Sequence, residues 1–130
     1  MTEVKKPREI LVVDDDVPVG RLVQFKLEKN GFCVTVKERG NEALLWLSSN
    51  RPALILLDLM LPDMSGYQVL EQIKAHSALK DIPVIILSSR GQKEEIDKCL
   101  ALGAAEHILK PFNPTELLNR VISILDKTTD

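Results

Sequence analysis

Along this chain, short stretches that are apolar at every position alternate with longer ones that are apolar at every third or fourth. The first stretch of the former kind is Glu9–Asp14, where "ILVV" sets four apolar residues in a row, three of them β-branched. A run so short and so uniformly apolar predicts a strand buried on both faces. "VGRLVQFKLEKNGF" then places Val19, Leu22, Val23, Phe25 and Leu27 near helical spacing, with Gly31 as the stop. "CVTVKE" alternates as a strand does. "NEALLWLSSN" predicts a helix with Asn41 as its cap and Leu44, Leu45 and Leu47 inward. "ALILLD" is a second doubly buried strand, ending at Asp58. "LPDMSGYQ" has loop chemistry around Pro62 and Gly66, and Tyr67–Lys74 is helical, burying Val69, Leu70 and Ile73. "IPVIILSS" is a fourth strand, led by a proline where no ladder donor is required. "QKEEIDKCLALG" predicts an amphipathic helix closed by Gly103, and "AAEHILKPF" a fifth strand. In "NPTELLNRVISIL", Asn113 is the N-cap of the last helix, Pro114 its first residue, and Glu116 completes a capping-box arrangement.

Five strands alternating with five helices, several strands apolar on both faces, specify an α/β fold: a doubly wound parallel sheet wrapped by helices. No internal repeat, low-complexity tract or second-domain boundary interrupts the pattern. It assigns residues 9–127 to one domain, 1–8 to a flexible N-terminal tail, and 128–130 to a C-terminal tail or the start of a linker. A length of 130 residues suits one domain of common size.

Composition narrows the function classes. Apolar content of 45% and charged content of 28% are those of an ordinary globular protein. Lys and Arg total 17 against 19 for Asp and Glu, which leaves no basic footprint for nucleic acid or an anionic membrane. The apolar runs fall far short of the roughly 18 residues a spanning helix needs. "MTEVKKPRE" is polar and the run behind it too short for a signal-peptide core, so a cytoplasmic location is expected. Cys33 and Cys99 lie far apart, neither in a CxxC, and are expected to be small core residues kept reduced. His76 and His107 have no neighbours at zinc-ligand spacing.

In open doubly wound sheets, ligands bind beyond the carboxyl ends of the strands. Four of the five predicted strand ends deliver chemistry to that rim: Asp14, Asp15 and Asp16, then Asp58, then Ser88 and Ser89, then Lys110. The second strand ends in "KERG", as suits an edge. Asp and Ser commonly cap helices after strands; chemistry at four strand ends together is not so easily explained. Adjacent carboxylates repel and lose solvation unless a positive charge holds them. Oxygen donors without His or Cys select a hard cation such as Mg²⁺. A carboxylate at Asp58 can accept a phosphoryl group. Mg²⁺, the Lys110 ammonium and the Ser88 hydroxyl would then each engage one equatorial phosphoryl oxygen.

"VVDD", "LLDLMLPDMSG", "ILSS" and "LKPF", in that order, resemble the receiver domain of bacterial two-component response regulators over nearly the whole chain. The resemblance implies a flavodoxin-like (βα)5 fold with strand order 2-1-3-4-5. It implies that Asp58 takes its phosphoryl group from a sensor histidine kinase or histidine phosphotransfer protein. It implies Mg²⁺, with Mn²⁺ as a substitute, bound by Asp15, Asp58 and the Met60 carbonyl, with Asp14 holding a metal-bound water; Asp16 is read as a helix cap instead. It further implies a cis peptide between Lys110 and Pro111, and Ser88 and Lys110 as the partners of the phosphoryl group. Output would be a changed surface on the fourth helix, fifth strand and fifth helix, where Glu106, Glu116 and Arg120 offer charges for a homodimer. No enzymatic activity is implied beyond self-phosphorylation from a donor and slow autodephosphorylation.

Two positions depart from the family's commonest pattern. Ser88 replaces the frequent Thr, keeping the hydroxyl and dropping a methyl group. His107 stands where Tyr or Phe is usual, and two readings stand open: a switching ring, or a strand histidine without that role. Met60 and Arg90 lie two residues beyond Asp58 and Ser88, where the family tunes attack by water, and are expected to slow hydrolysis. Three other classes fit less well. A haloacid dehalogenase-type phosphatase would use Asp14 and Asp16 as a DxD pair, but after Lys110 the only acids are Glu116, Asp126 and Asp130, and Asp58 is left without a role. A flavin mononucleotide site would face repulsion from three carboxylates, and no GxxxxGK loop is present. A degenerate receiver used only as an interaction module usually lacks an acid or the lysine; this chain keeps all of them.

Overall fold

The computed structural model describes residues 7–128. Its elements alternate throughout: β1 (Glu9–Val13), α1 (Val17–Lys29), β2 (Cys33–Lys37), α2 (Gly40–Leu47), β3 (Leu54–Asp58), α3 (Gly66–Ala75), β4 (Val84–Ser88), α4 (Lys93–Ala101), β5 (Glu106–Leu109) and α5 (Pro114–Thr128). Every strand pairs in parallel, in the order β2-β1-β3-β4-β5. Of the tails expected at residues 1–8 and 128–130, residues 1–6 and 129–130 lie outside the described residues.

The uniformly apolar runs form the middle of the sheet. Ile10–Val13, Leu54–Leu57 and Val84–Leu87 are wholly buried, because the pleat sends alternate side chains into two separate cores. Leu11, Val13, Ile55, Leu57 and Ile86 pack under α2, α3 and α4 against Ala43, Leu47, Val69, Leu70 and Ile73. Ile10, Val12, Leu54, Leu56 and Ile85 pack under α1 and α5 against Val23, Leu27, Leu117 and Val121.

Three helical leucine and phenylalanine positions expected to face inward, or to belong to the apolar stripe, do not. Leu22, Phe25 and Leu45 are exposed, Leu45 by 73%. The buried stripes run instead through Gly20, Val23 and Leu27 on α1 and through Gly40, Ala43 and Leu47 on α2, at the three-and-four spacing of one helix face. Leu22 and Phe25 lie on the opposite side of α1, where the Lys29 ammonium sits 5.8 Å from the Phe25 ring centre. Cys33 is likewise exposed, at the start of the edge strand β2, whereas Cys99 is buried; both thiols are free.

The helix ends show which loops are tied to which. The Asp16 carboxylate caps α1, accepting from Val19 N at 3.3 Å. Asn113 Oδ1 caps α5, accepting from Thr115 N at 2.8 Å and Glu116 N at 3.3 Å. The Glu116 carboxylate lies 3.7 Å from Arg120 Nη2, turned along its own helix and away from a reciprocal box. Asn41 is not the cap of α2. Asp63, from the loop after β3, accepts from both Gly40 N and Asn41 N at 2.8 Å. Those backbone hydrogen bonds, that from Asn41 foremost, hold the Asp63 carboxyl below its ordinary range. A complete capping box opens α3 instead, between Ser65 and Gln68.

Gly66, the first residue of α3, lies against the end of β3. Its N–H donates to Leu59 O at 2.8 Å, and a Cβ there would fall 2.3 Å from the Asp58 carbonyl oxygen and 2.6 Å from Leu59 Cα. Only backbone atoms stand in the way, so no side-chain rotation relieves the clash. Gly66→Ala is expected to cost about 1–3 kcal/mol through forced backbone displacement, read as a lower urea midpoint; an unchanged midpoint would show that this approach is not tight.

Candidate functional site

The strand order decides which rim residues meet. β3 lies between β1 and β4, so Asp58 at its end stands between Asp14, which follows β1, and Ser88, which closes β4. Lys110, after β5, reaches across β4. Its ammonium lies 2.7 Å from Asp14 Oδ2 and 3.1 Å from Asp58 Oδ2. Asp14 is fully buried, Asp58 and Ser88 nearly so, whereas Asp15 is exposed. Asp14, Asp15 and Asp58 each bring a carboxylate oxygen to within 4.8 Å of the others.

Each buried carboxylate also has one backbone donor. Asp14 Oδ1 accepts from Asp16 N at 2.9 Å, and Asp58 Oδ1 accepts from Met60 N at 3.1 Å. These contacts do not balance the site. Burial pushes the Asp58 carboxyl up to about 6; the Met60 N–H opposes this, the Asp14 charge adds to it, and Lys110 again opposes it. For Lys110, burial works against the charge, but hydrogen bonds and charge from Asp14 and then Asp58 outweigh it and raise the ammonium above its ordinary value. One cation thus serves two buried carboxylates, with a third beside them. That residual negative charge and an all-oxygen donor set fit a hard divalent cation.

The other rim residues are placed as follows. Ser88 Oγ accepts from Arg90 N at 3.0 Å, held by its own loop. The Arg90 guanidinium points to Glu95, with Nη1 3.5 Å from Oε1, and Glu95 Oε2 accepts from Tyr67 Oη at 2.5 Å. Met60 is largely exposed. The Lys110–Pro111 peptide is cis. His107 is half-buried, and its Nε2 is buried without a hydrogen-bond partner. Burial lowers its pKa, against the Glu95 charge and the Arg90 backbone, which leaves a neutral ring near pH 7. Asp16, Asp14 and Asp15 therefore divide as cap and acid pair. The Asp14–Lys110 contact and the Tyr67–Glu95–Arg90 chain went unread in the sequence, since no spacing rule joins residues so far apart.

The chain belongs to the response regulator receiver domain family, whose sequence pattern matches residues 10–122. The acid pocket of Asp14, Asp15 and Asp58 fits the family's phosphoacceptor site. Among relatives, the chain is 42% identical over 118 residues to the phosphate regulon transcriptional regulatory protein PhoB of Escherichia coli, covering 91% of this chain and 52% of that protein. It is 38% identical over 120 residues to the transcriptional regulatory protein SrrA of Staphylococcus aureus, covering 92% and 48%. The chain therefore spans about half the length of these curated relatives. The receiver domain of the Francisella response regulator 1452 superposes with a TM-score of 0.88 at 32% identity, covering 94% of this chain and 99% of that one.

Because folding raises the Asp58 pKa, protonated Asp58 favours the native state, and that contribution fades as pH rises through about 6. In chelator, Asp58→Asn is expected to be more stable than the parent at pH 7.5, on the order of 1–2 kcal/mol. The gap should narrow as pH falls through 6 and close near pH 3, below the ordinary value of 3.8. Mg²⁺ should raise the parent's melting midpoint more than the variant's. Superimposable melting curves at both pH values would contradict this account of the acid cluster.

Proposed function

We propose that Asp58 is the phosphoacceptor of this receiver. The observation that carries the reading is the gathering of three carboxylates and one lysine around the end of β3. An Asp58 oxygen would attack the phosphorus of a phosphohistidine on a sensor histidine kinase or histidine phosphotransfer protein. A P–O bond forms as the P–N bond breaks, and the electron pair leaves with the imidazole. With its pKa near 6, Asp58 is mostly ionised at neutral pH and can act as the nucleophile.

Asp15, Asp58 and the Met60 carbonyl are the proposed Mg²⁺ ligands, with Asp14 acting through a water. The metal would supply neutralisation of phosphoryl charge. Lys110, already bonded to Asp58, would shift its ammonium to a phosphoryl oxygen. Ser88 would turn its hydroxyl from Arg90 O toward another, and His107, with an unsatisfied Nε2, is the adjoining ring able to follow it. Output is assigned to the α4-β5-α5 face, where Ile96, Leu100, Ala105 and Ile124 line a groove of about 610 Å³. A homodimer through this face would have to re-pair Arg120, which is bonded within the chain to Glu106 and lies near Glu116. Relatives described as transcriptional regulators support an effector in gene control as the downstream partner. Residues 9–127 as the receiver and a cytoplasmic location belong to the same reading; no helix among the described residues is long and apolar enough to cross a membrane.

Incubation with acetyl phosphate and Mg²⁺ should add the mass of one phosphoryl group, mapped to Asp58. Asp58→Asn and chelator should each abolish it. If the intact protein gains no phosphoryl group, the chain is an interaction module instead. Met60 and Arg90 are proposed to shield the acyl phosphate from water. Met60→Ser combined with Arg90→Asn should then shorten its half-life about tenfold, an activation difference of about 1.4 kcal/mol; an unchanged half-life removes that role.

A further inference from the structure

Glu95, in the first turn of α4, has both carboxylate oxygens engaged, one by Tyr67 Oη at 2.5 Å and the other 3.5 Å from the Arg90 guanidinium. Its two partners come from opposite sides of the site. Tyr67 follows Gly66, the residue pressed against the Asp58 carbonyl. Arg90 donates its backbone N–H to Ser88 Oγ at 3.0 Å. A continuous run of contacts therefore leads from the start of α3 through Tyr67, Glu95 and Arg90 to the Ser88 hydroxyl. Lys98, one turn along α4, sets its ammonium 4.1 Å from the Tyr67 ring centre and steadies that ring from the same helix. Met60, Ser65, Tyr67, Ser88, Arg90 and Glu95 line a cavity of about 260 Å³ between the two loops. The tether thus spans open space and is not part of a filled core. The Glu95 side chain is 22% exposed and the Arg90 side chain 60%, so the short Tyr67 bond to a partly desolvated carboxylate is the strong leg of the tether and the Arg90 ion pair the weak one.

We propose that Glu95 is a positioning residue for the phosphorylation switch: by tying the Arg90 loop to Tyr67, it holds Ser88 Oγ on the Arg90 backbone and lowers the affinity of the site for a phosphoryl group. The inference rests on Asp58 being the acceptor and Ser88 the hydroxyl that follows the phosphate. For Ser88 Oγ to donate to a phosphoryl oxygen, its proton must leave Arg90 O, to which it donates at 3.5 Å, and the oxygen that accepts from Arg90 N must swing toward Asp58, so the loop bonded to it at both points must move. While Glu95 anchors the Arg90 side chain to α3, that movement breaks or stretches the tether. A ligand that binds only the forward state then binds with an affinity reduced by the share of protein in the resting state. An acid at this point also suits the N-terminus of α4, a purely local role that Tyr67 would not share.

The test is calorimetric titration with beryllofluoride and Mg²⁺, a phosphoryl analogue that needs no bond-making step, on the parent, Glu95→Gln, Tyr67→Phe and the double variant. Each single variant should bind about three- to tenfold more tightly, and the double variant no more tightly than the better single one, since both cut the same tether. Hydrogen exchange without analogue should quicken at the Arg90 amide in all three variants. Parental affinity in the single variants, or effects that multiply in the double variant, would overturn the proposal. Failure of the parent itself to bind the analogue would instead overturn the phosphoacceptor reading, and the exchange measurement would still report whether the tether holds the loop.

Discussion

Two buried carboxylates sharing one ammonium is the constraint around which this protein is organised. Asp14 is fully buried and Asp58 nearly so, and neither can be solvated there as it would be in water. Lys110 reaches both, at 2.7 and 3.1 Å, but brings one charge to two. Backbone N–H groups of Asp16 and Met60 supply one further donor each. What they leave uncompensated appears as the raised pKa of Asp58. The protein keeps this imbalance where a cation and a phosphate can relieve it. A removed carboxylate would relax the site, and a removed lysine would leave two buried charges facing one another.

The fold imposes that arrangement. Strands apolar at every position must lie in the middle of the sheet, so their polar ends emerge side by side at a rim framed by helices. The order β2-β1-β3-β4-β5 puts Asp58 at the centre. Gly66 lets α3 begin directly on the back of that residue, and Asp63 ties the same loop to α2. The loop bearing Met60 is therefore pinned at several points. The loop bearing Arg90 is held through Ser88 Oγ, which bonds both its N–H and its carbonyl, and through Glu95.

Much of this was legible in the residues, and the failures share a cause. Periodicity identified the strands, their burial, and the acids, hydroxyl and lysine at their ends, because each depends on neighbours within a few positions. It misjudged Leu22, Phe25 and Leu45, where near-helical spacing does not distinguish one face of a helix from its opposite. It placed Cys33 inside because small apolar residues usually are, but an edge strand leaves its first residue open. Asn41 looked like the cap of α2 by local rule, yet Asp63 does that work from more than twenty positions away. The Asp14–Lys110 pair and the Tyr67–Glu95–Arg90 tether belong to the same class: contacts made by the fold between residues with no pattern in common.

The Arg120 guanidinium is already mated to Glu106 on β5, with Glu116 close by on its own helix. A partner arriving on that face with acids of its own does not add an ion pair to the molecule; it exchanges an internal one for an external one. Dissolved salt weakens both sides of such an exchange alike. Association there should consequently feel ionic strength only faintly, and be governed by how well the apolar groove between α4 and α5 is filled.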